Sequence, residues 1–188
     1  MIHLNGQPVA HLNSASRRTQ GLGFIPEERL GRGAVPAMSL AENTLLTAYD
    51  QGLLQRGLIR RDAVTQLAQN CIAGFHVKCS GPQAPANSLS GGNLQKFIVG
   101  RELMQKPQVL IAAQPTWGVD VGAAAFIRQS LIELRNSGAS LLVVSEELDE
   151  LFEICDRIAV IADGRLSPVV AIDETDVETI GLWMSGMW

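Results

Sequence analysis

The chain has 188 residues, room for one sizeable core with a small subdomain, and its 46% hydrophobic and 18% charged residues exclude a disordered chain. A formal charge of -4 with no basic stripe argues against a nucleic-acid-binding surface. No apolar run reaches roughly 18 residues, so no membrane span is predicted. Met1 to Gly6 also lack the basic region and apolar core of a signal peptide, leaving the cytoplasm as the expected compartment.

Ile2 to Val9 reads as a short hairpin turning at Asn5-Gly6. Leu22 to Pro26 reads as a strand that enters a charged loop, Glu27-Glu28-Arg29-Leu30-Gly31-Arg32-Gly33. Ser39-Leu40-Ala41-Glu42 forms a capping box that opens a helix through about Tyr49. Between Arg61 and Phe75, Val64, Leu67, Ala68, Cys71, Ile72 and Phe75 recur at helical spacing. The stretch Ser80-Gly81-Pro82-Gln83-Ala84-Pro85 then breaks the pattern. Residues 37–88 are therefore expected to be a mostly helical insertion between segments 1–36 and 89–188.

The second half alternates. Leu94 to Met104 suits a helix and Val109 to Ala113 a short apolar strand. Ala123 to Arg135 predicts a helix with Ile127, Leu131 and Leu134 on one face, closed by Gly138. Ser140 to Ser145 reads as another buried strand, and Glu147 to Cys155 as a helix with Leu148, Leu151, Phe152 and Cys155 inward. Ile158 to Ile161 reads as a third strand, followed by an Asp163-Gly164 turn. Strands separated by helices imply an α/β fold with a parallel sheet and right-handed crossovers.

Cys71, Cys79 and Cys155 lack the short paired spacing of metal ligands and are expected to be reduced structural residues, Cys71 and Cys155 on apolar helix faces. His3, His11 and His76 are scattered and receive no catalytic role.

Leu89-Ser90-Gly91-Gly92-Asn93 stands directly before a helix. Two glycines allow close backbone approach, Ser90 adds a hydroxyl, and a helix N-terminus offers free N–H groups and a positive dipole end, which together suit an anion. Taken alone, the pentapeptide also fits an ordinary loop and helix cap.

Its neighbours extend the pattern: the strand Val109-Leu110-Ile111-Ala112-Ala113, then Gln114-Pro115-Thr116-Trp117-Gly118-Val119-Asp120, then Ser145-Glu146-Glu147-Leu148-Asp149-Glu150 and Cys155-Asp156-Arg157-Ile158. That order resembles the ABC ATPase cassette, with its signature motif, Walker B strand, D-loop, switch loop and closing strand. Upstream, Gly23-Phe24-Ile25-Pro26-Glu27-Glu28-Arg29 and Ser39-Leu40-Ala41-Glu42-Asn43 look like the Q-loop and the start of the helical subdomain. Pro-Glu-Glu-Arg, Asn93 in place of Gln, and Gly118-Val119-Asp120-Val121-Gly122 are similar to the second cassette of simple-sugar and nucleoside importers, whose subunits carry two cassettes in one polypeptide. The variant Ala112-Ala113-Gln114-Pro115-Thr116 looks most like the nucleoside branch.

The resemblance implies an ABC-type, RecA-like P-loop NTPase core. Residues 1–36 would be the end of the β-subdomain and the Q-loop region, and residues 37–88 the helical subdomain. Residues 89–188 would hold the signature, the Walker B, D-loop and switch-loop core, and a C-terminal tail. It also implies work at the inner face of the cell membrane with a first ATP-binding cassette and transmembrane permease subunits, and indirectly with a solute-binding protein. ATP and Mg²⁺ would serve the full assembly. A soluble ABC-fold scaffold or regulator without a permease is the rival reading.

The sequence departs from a working ATPase at several positions. None of the three lysines, Lys78, Lys96 and Lys106, follows a glycine, so a Walker A loop is absent. The first residues already match the hairpin downstream of that loop in the family, so the chain is expected to begin after it, and on its own to bind no cofactor. Ala113 occupies the position of the Mg²⁺-organising Asp and Gln114 that of the general-base Glu. Glu146 stands at the switch-loop His position and Glu27 at the Q-loop position. Ser90, Gly91, Gly92, Asn93 and Asp120 match residues that face the ATP held by the partner cassette.

Overall fold

A computed structural model of the protein describes residues 2–188, which divide after Val144 into two compact units. In the first unit, β1 (His3–Leu4) and β2 (Gln7–Pro8) pair antiparallel across Asn5 at φ 52° and Gly6 at φ 76°, the expected hairpin. Next comes α1 (Ser14–Thr19), which has no buried residue and so left no apolar periodicity to find. Its one local signal is the cap, where Asn13 Oδ1 accepts from the Ser16 N–H at 2.8 Å.

After β3 (Leu22–Ile25), α2 (Leu40–Ala48) opens on the expected capping box. Ser39 Oγ accepts from the Glu42 N–H at 3.1 Å, and Glu42 Oε2 accepts from the Ser39 N–H at 2.8 Å. The Ser39 backbone bond holds the Glu42 carboxyl below its usual range. β4 (Leu54–Gln55) and β5 (Leu58–Ile59) then form a hairpin that the sequence reading did not anticipate. Its turn places Arg56 at φ 50° before Gly57, and an arginine in the left-handed position conceals the usual turn signal. α3 (Arg61–Gly74) packs on α2, with Ala41, Ala48, Leu53, Val64 and Ala68 forming a small core.

Cys71 of α3 is buried as expected, its thiol donating to the Phe97 carbonyl at 3.6 Å and pushed up to about 12 by burial. At pH 8 that leaves about one thiolate in ten thousand. We predict that iodoacetamide leaves Cys71 unmodified in the native chain, and that its labelling in urea follows the unfolding transition. Rapid native labelling would contradict the buried placement.

The central part of this unit is α4 (Gly91–Leu103), β6 (Val109–Ala113), α5 (Val121–Asn136) and β7 (Ser140–Val144). Helix α4 starts at Gly91 rather than Leu94, so the two glycines lie inside its first turn. Strands β3, β6 and β7 make a parallel sheet in that order, with Ile25, Ala112 and Val143 in register. Ile25, Leu110 and Ala112 are buried on one face, whereas Phe24, Leu142 and Val144 are 46%, 56% and 52% exposed on the other. The expectation of a buried Ser140–Ser145 strand is therefore corrected. Strand β7 ends at Val144, forms an edge of the three-stranded sheet, and turns alternate residues to its open face.

The second unit comprises α6 (Leu148–Ile154), β8 (Arg157–Ile158), β9 (Ile161–Ala162), β10 (Arg165–Leu166), β11 (Val170–Ala171) and α7 (Val177–Met184). The single strand expected over Ile158–Ile161 is instead two short ones. β8 pairs antiparallel with β11, and β9 with β10 across the Asp163-Gly164 turn. Between them the Ser167 N–H donates to the Val160 carbonyl at 2.8 Å while the Val160 N–H donates to Ser167 Oγ at 2.9 Å, so a hydroxyl replaces one of the two backbone bonds there. Cys155 is also reassigned: it caps the C-terminus of α6 and is half-buried, while Glu150, Leu151 and Ile154 form the buried side. Helix α7, absent from the sequence reading, is capped by Asp176, which accepts from the Thr179 N–H at 2.7 Å. No helix among the described residues is long and apolar enough to cross a membrane.

Candidate nucleotide-facing site

The site is built around the first turn of α4. Ser90 is its N-cap, in extended backbone, but its side chain makes no capping bond. Instead, Ser90 Oγ accepts from Asn93 Nδ2 at 2.9 Å, and Asn93 Oδ1 accepts from the Lys78 N–H at 2.8 Å. Asn93 thus ties the turn to the segment after α3. Ser90 and Gly91 are exposed, and the first N–H groups of the helix have no capping side chain to accept from them. This geometry fits a phosphate: Gly91 and Gly92 offer backbone donors, and the Ser90 hydroxyl keeps a proton to give.

The loop after β6 lies against this turn. Gln114 is in left-handed backbone at φ 49°, and its N–H donates to the Val144 carbonyl at 2.7 Å. Trp117 N–H bonds back to the Gln114 carbonyl at 3.2 Å, and Gly118 at φ 61° completes the bend. Asp120 is the N-cap of α5, its Oδ1 accepting from the Ala123 N–H at 2.9 Å. Its other oxygen faces the signature turn, since a Cβ built on Gly92 would lie 3.5 Å from Asp120 Oδ2. The sequence reading gave Asp120 only a role across an interface. The structure adds local capping, for which an aspartate before Val121-Gly122 was the available signal.

Ala113 ends β6 with no side-chain oxygen, and Gln114 presents a neutral amide whose Oε1 is buried without a hydrogen-bond partner among the described residues. An alanine and an amide do not fit a Mg²⁺ site. No group of His, Cys, Asp or Glu among the described residues could hold a metal ion.

Glu27 is exposed on the loop after β3, and Glu28 pairs with Arg32 on the surface at 3.1 Å. Two residues beyond Glu27 on the same loop, Arg29 reaches the start of α4 and the bend before α5. Arg29 Nε donates to Gln95 Oε1 at 3.1 Å, and Gln95 Nε2 donates to the Pro115 carbonyl at 2.8 Å. The guanidinium carbon lies 5.7 Å from the centre of the Trp117 ring. Burial draws the Arg29 pKa below its ordinary value. Gln95, almost fully buried among Leu94, Phe97 and Ile98, was the legible clue: an amide inside an apolar helix face needs partners.

The structure therefore brings Ser90, Gly91, Gly92, Asp120 and Arg29 together, with Gln114 on the adjoining loop. Glu146 belongs to the second unit, where it is exposed just before Glu147, the N-cap of α6.

No protein-family model matches the chain. It is 39% identical over 186 residues to the guanosine import ATP-binding protein NupO of Bacillus subtilis, covering 98% of this chain and 36% of that protein. It is 37% identical over 186 residues to the nucleoside import ATP-binding protein NupA of Lactococcus lactis, covering 98% of this chain and 37% of that one. A ribose import ATP-binding protein of Rubrobacter xylanophilus is 33% identical, with 98% and 37% covered. The chain thus spans a little over a third of the length of these relatives. Among solved structures, a dimeric ATP-binding cassette in a post-hydrolysis state with ADP and Pi superposes with a TM-score of 0.75 at 21% identity, over 90% of this chain and 72% of that one. An ATP-binding subunit of an ABC transporter gives 0.76 at 19% identity, over 97% and 75%. The chain has the α/β fold of ABC ATPase cassettes and, over nearly all its length, is homologous to part of the ATP-binding subunits of nucleoside and sugar importers.

Proposed function

We propose that the chain is the signature-bearing part of the second, catalytically degenerate cassette of a bacterial ABC importer for nucleosides or simple sugars. Ser90, Gly91, Gly92, Asn93 and Asp120 would face the triphosphate of an ATP whose phosphate loop belongs to the first cassette. ATP with Mg²⁺, when bound there, supplies the energy of closure; these residues hold its phosphates from the far side and exclude water. Closure would pass to the permease through the loop at Glu27 and the helices of residues 37–88. Gln114 and Glu146 would have no hydrolytic task of their own. The protein would sit at the cytoplasmic face of the membrane with the permease.

The observation that carries this reading is the uncapped α4 N-terminus opposite Asp120, on a chain with Ala113 and Gln114 at the positions that resemble Walker B. We predict that Ser90→Arg in the intact importer lowers ATP turnover at least about a hundredfold, because the side chain fills the space that the glycine turn leaves for phosphate. ATP binding by the separated first cassette should be unaffected. Wild-type turnover in the variant would defeat the proposal. The chain alone is predicted to release no phosphate above a heat-denatured control.

A further inference from the structure

One guanidinium fills the gap between α4's first turn and the bend that precedes α5. A Cβ on Gly91 would fall 2.7 Å from Arg29 Nη1, and one on Gly118 would fall 3.3 Å from Arg29 Nη2. A side chain at either position would crowd the guanidinium, and Gly118 is also held at φ 61°, where glycine is favoured. Arg29 is bonded to the Gln95 amide, which is bonded in turn to the Pro115 carbonyl, and it lies by the Trp117 ring. Four segments thus converge on it: its own loop, the helix start, the body of α4 and the bend.

No ion pair of Arg29 occurs among the described residues, and its Nη2 is buried without a hydrogen-bond partner. Burying a guanidinium by an amide and an indole, with no carboxylate, is a poor way to gain stability, since an apolar side chain of similar volume would avoid the desolvation. What a planar, forked cation does better is fix geometry. Its Nε–H donates to the Gln95 amide while its central carbon lies over the Trp117 ring, and a lysine cannot do both.

We propose that Arg29 is a positioning residue. It sets the spacing between the α4 turn and the 115–118 bend so that Ser90, Gly91, Gly92 and Asp120 face the same nucleotide. This rests on the composite-site reading above. Arg29 acts on the reaction through these groups, without touching the reacting atoms.

The test compares Arg29→Ala, Arg29→Lys and Trp117→Phe in the intact importer, with Ser90→Arg as the control for the composite site. Arg29→Ala is expected to lower kcat about tenfold while leaving KM for ATP within about twofold, because misplacing a turn affects the closed state and not the phosphate loop of the first cassette. Arg29→Lys should not restore kcat, and Trp117→Phe, which keeps a ring beside the guanidinium, should lie near wild type. Amide hydrogen exchange at Gly91, Gly92 and Gly118 should quicken in both arginine variants. If Arg29→Ala fails to fold, Arg29→Lys and Gln95→Met carry the same comparison.

Restoration of kcat by lysine would overturn the proposal, because charge alone would then suffice. Wild-type kcat in both arginine variants, with turnover abolished by Ser90→Arg, would overturn it and leave the composite site standing. Wild-type turnover in Ser90→Arg would overturn the composite site, and with it the role given to Arg29.

Discussion

Glu102→Ala is expected to lower the stability of the chain by about 3–5 kcal/mol in urea unfolding, the range for removing one partner of a buried ion network. Glu102 lies near the C-terminus of α4 with its side chain 1% exposed. Arg18 Nη1 donates to its Oε2 at 2.7 Å, and Arg101 Nη2 lies 3.3 Å from its Oε1. Arg101 is itself buried and donates to the carbonyls of Gly33 at 2.8 Å and Asn43 at 3.1 Å. Burial pulls its pKa down, the Glu102 carboxylate pulls it back up, and Arg18 adds to the lowering. Without the carboxylate, two arginines would face each other with the inner one uncompensated. Because whole-domain stability is typically about 5–15 kcal/mol, the variant should sit close to its folding threshold. Glu102→Gln, which keeps an acceptor for Arg18, should lose less. Arg101→Met with Glu102→Leu should lose less than the sum of the single changes, as the buried charges leave together. A loss below about 1 kcal/mol for Glu102→Ala would show the network to be solvated, contrary to its burial.

The same helix explains why much of the site could be read from sequence and part of it could not. Ser90-Gly91-Gly92-Asn93, which alone also fits an ordinary loop and helix cap, became legible through the ordered segments that follow it, from Val109 to Asp120 and on to Ile158. The capping box at Ser39 and Glu42 was equally visible, since both halves of its hydrogen bonding lie within one turn. Strands β3 and β6 were legible as apolar runs, and their neighbours α4 and α5 as helical periodicities. What escaped was non-local or very short. The contact of Arg29 with Gln95 joins residues 66 apart, and no local pattern marks it. Helix α1 buries no residue, the β4–β5 hairpin turns on Arg56-Gly57, and α7 spans only the eight residues Val177–Met184. The misreading of Ile158–Ile161 has a similar origin. A run of apolar residues predicts a strand, but not which strand will pair with it or that the Ser167 hydroxyl will take the Val160 N–H.

Asn43 shows how a residue quoted for its motif acquires a physical role, and it gives the second large effect. It is fully buried on α2, and the quoted Ser39–Asn43 segment ends on it. Its Oδ1 accepts from the Val35 N–H at 2.7 Å, and its Nδ2 contacts the carbonyls of Val35, Met38 and Ser39 at 3.1, 3.1 and 3.0 Å. One amide thereby folds residues 35–39 onto the helix that follows and fixes how the loop at Glu27–Gly33 runs into α2. We predict that Asn43→Leu costs about 3 kcal/mol, because a buried N–H and several carbonyls lose their partner together. Asn43→Asp separates this account from simple packing. Aspartate keeps an acceptor for Val35 but, when ionised, aims negative charge at three carbonyl oxygens in a buried site. Its folded pKa should then be raised above the unfolded value of about 3.9. With that sign, the protonated form supports folding below the unfolded pKa, and the support is lost as pH rises through the folded pKa. The stability difference between Asn43→Asp and the parent should therefore widen from acid toward neutral pH and level off above the folded pKa. A difference that stays constant with pH would mean that the side chain at this position reaches water, and that Asn43 is not the internal clamp its hydrogen bonds describe.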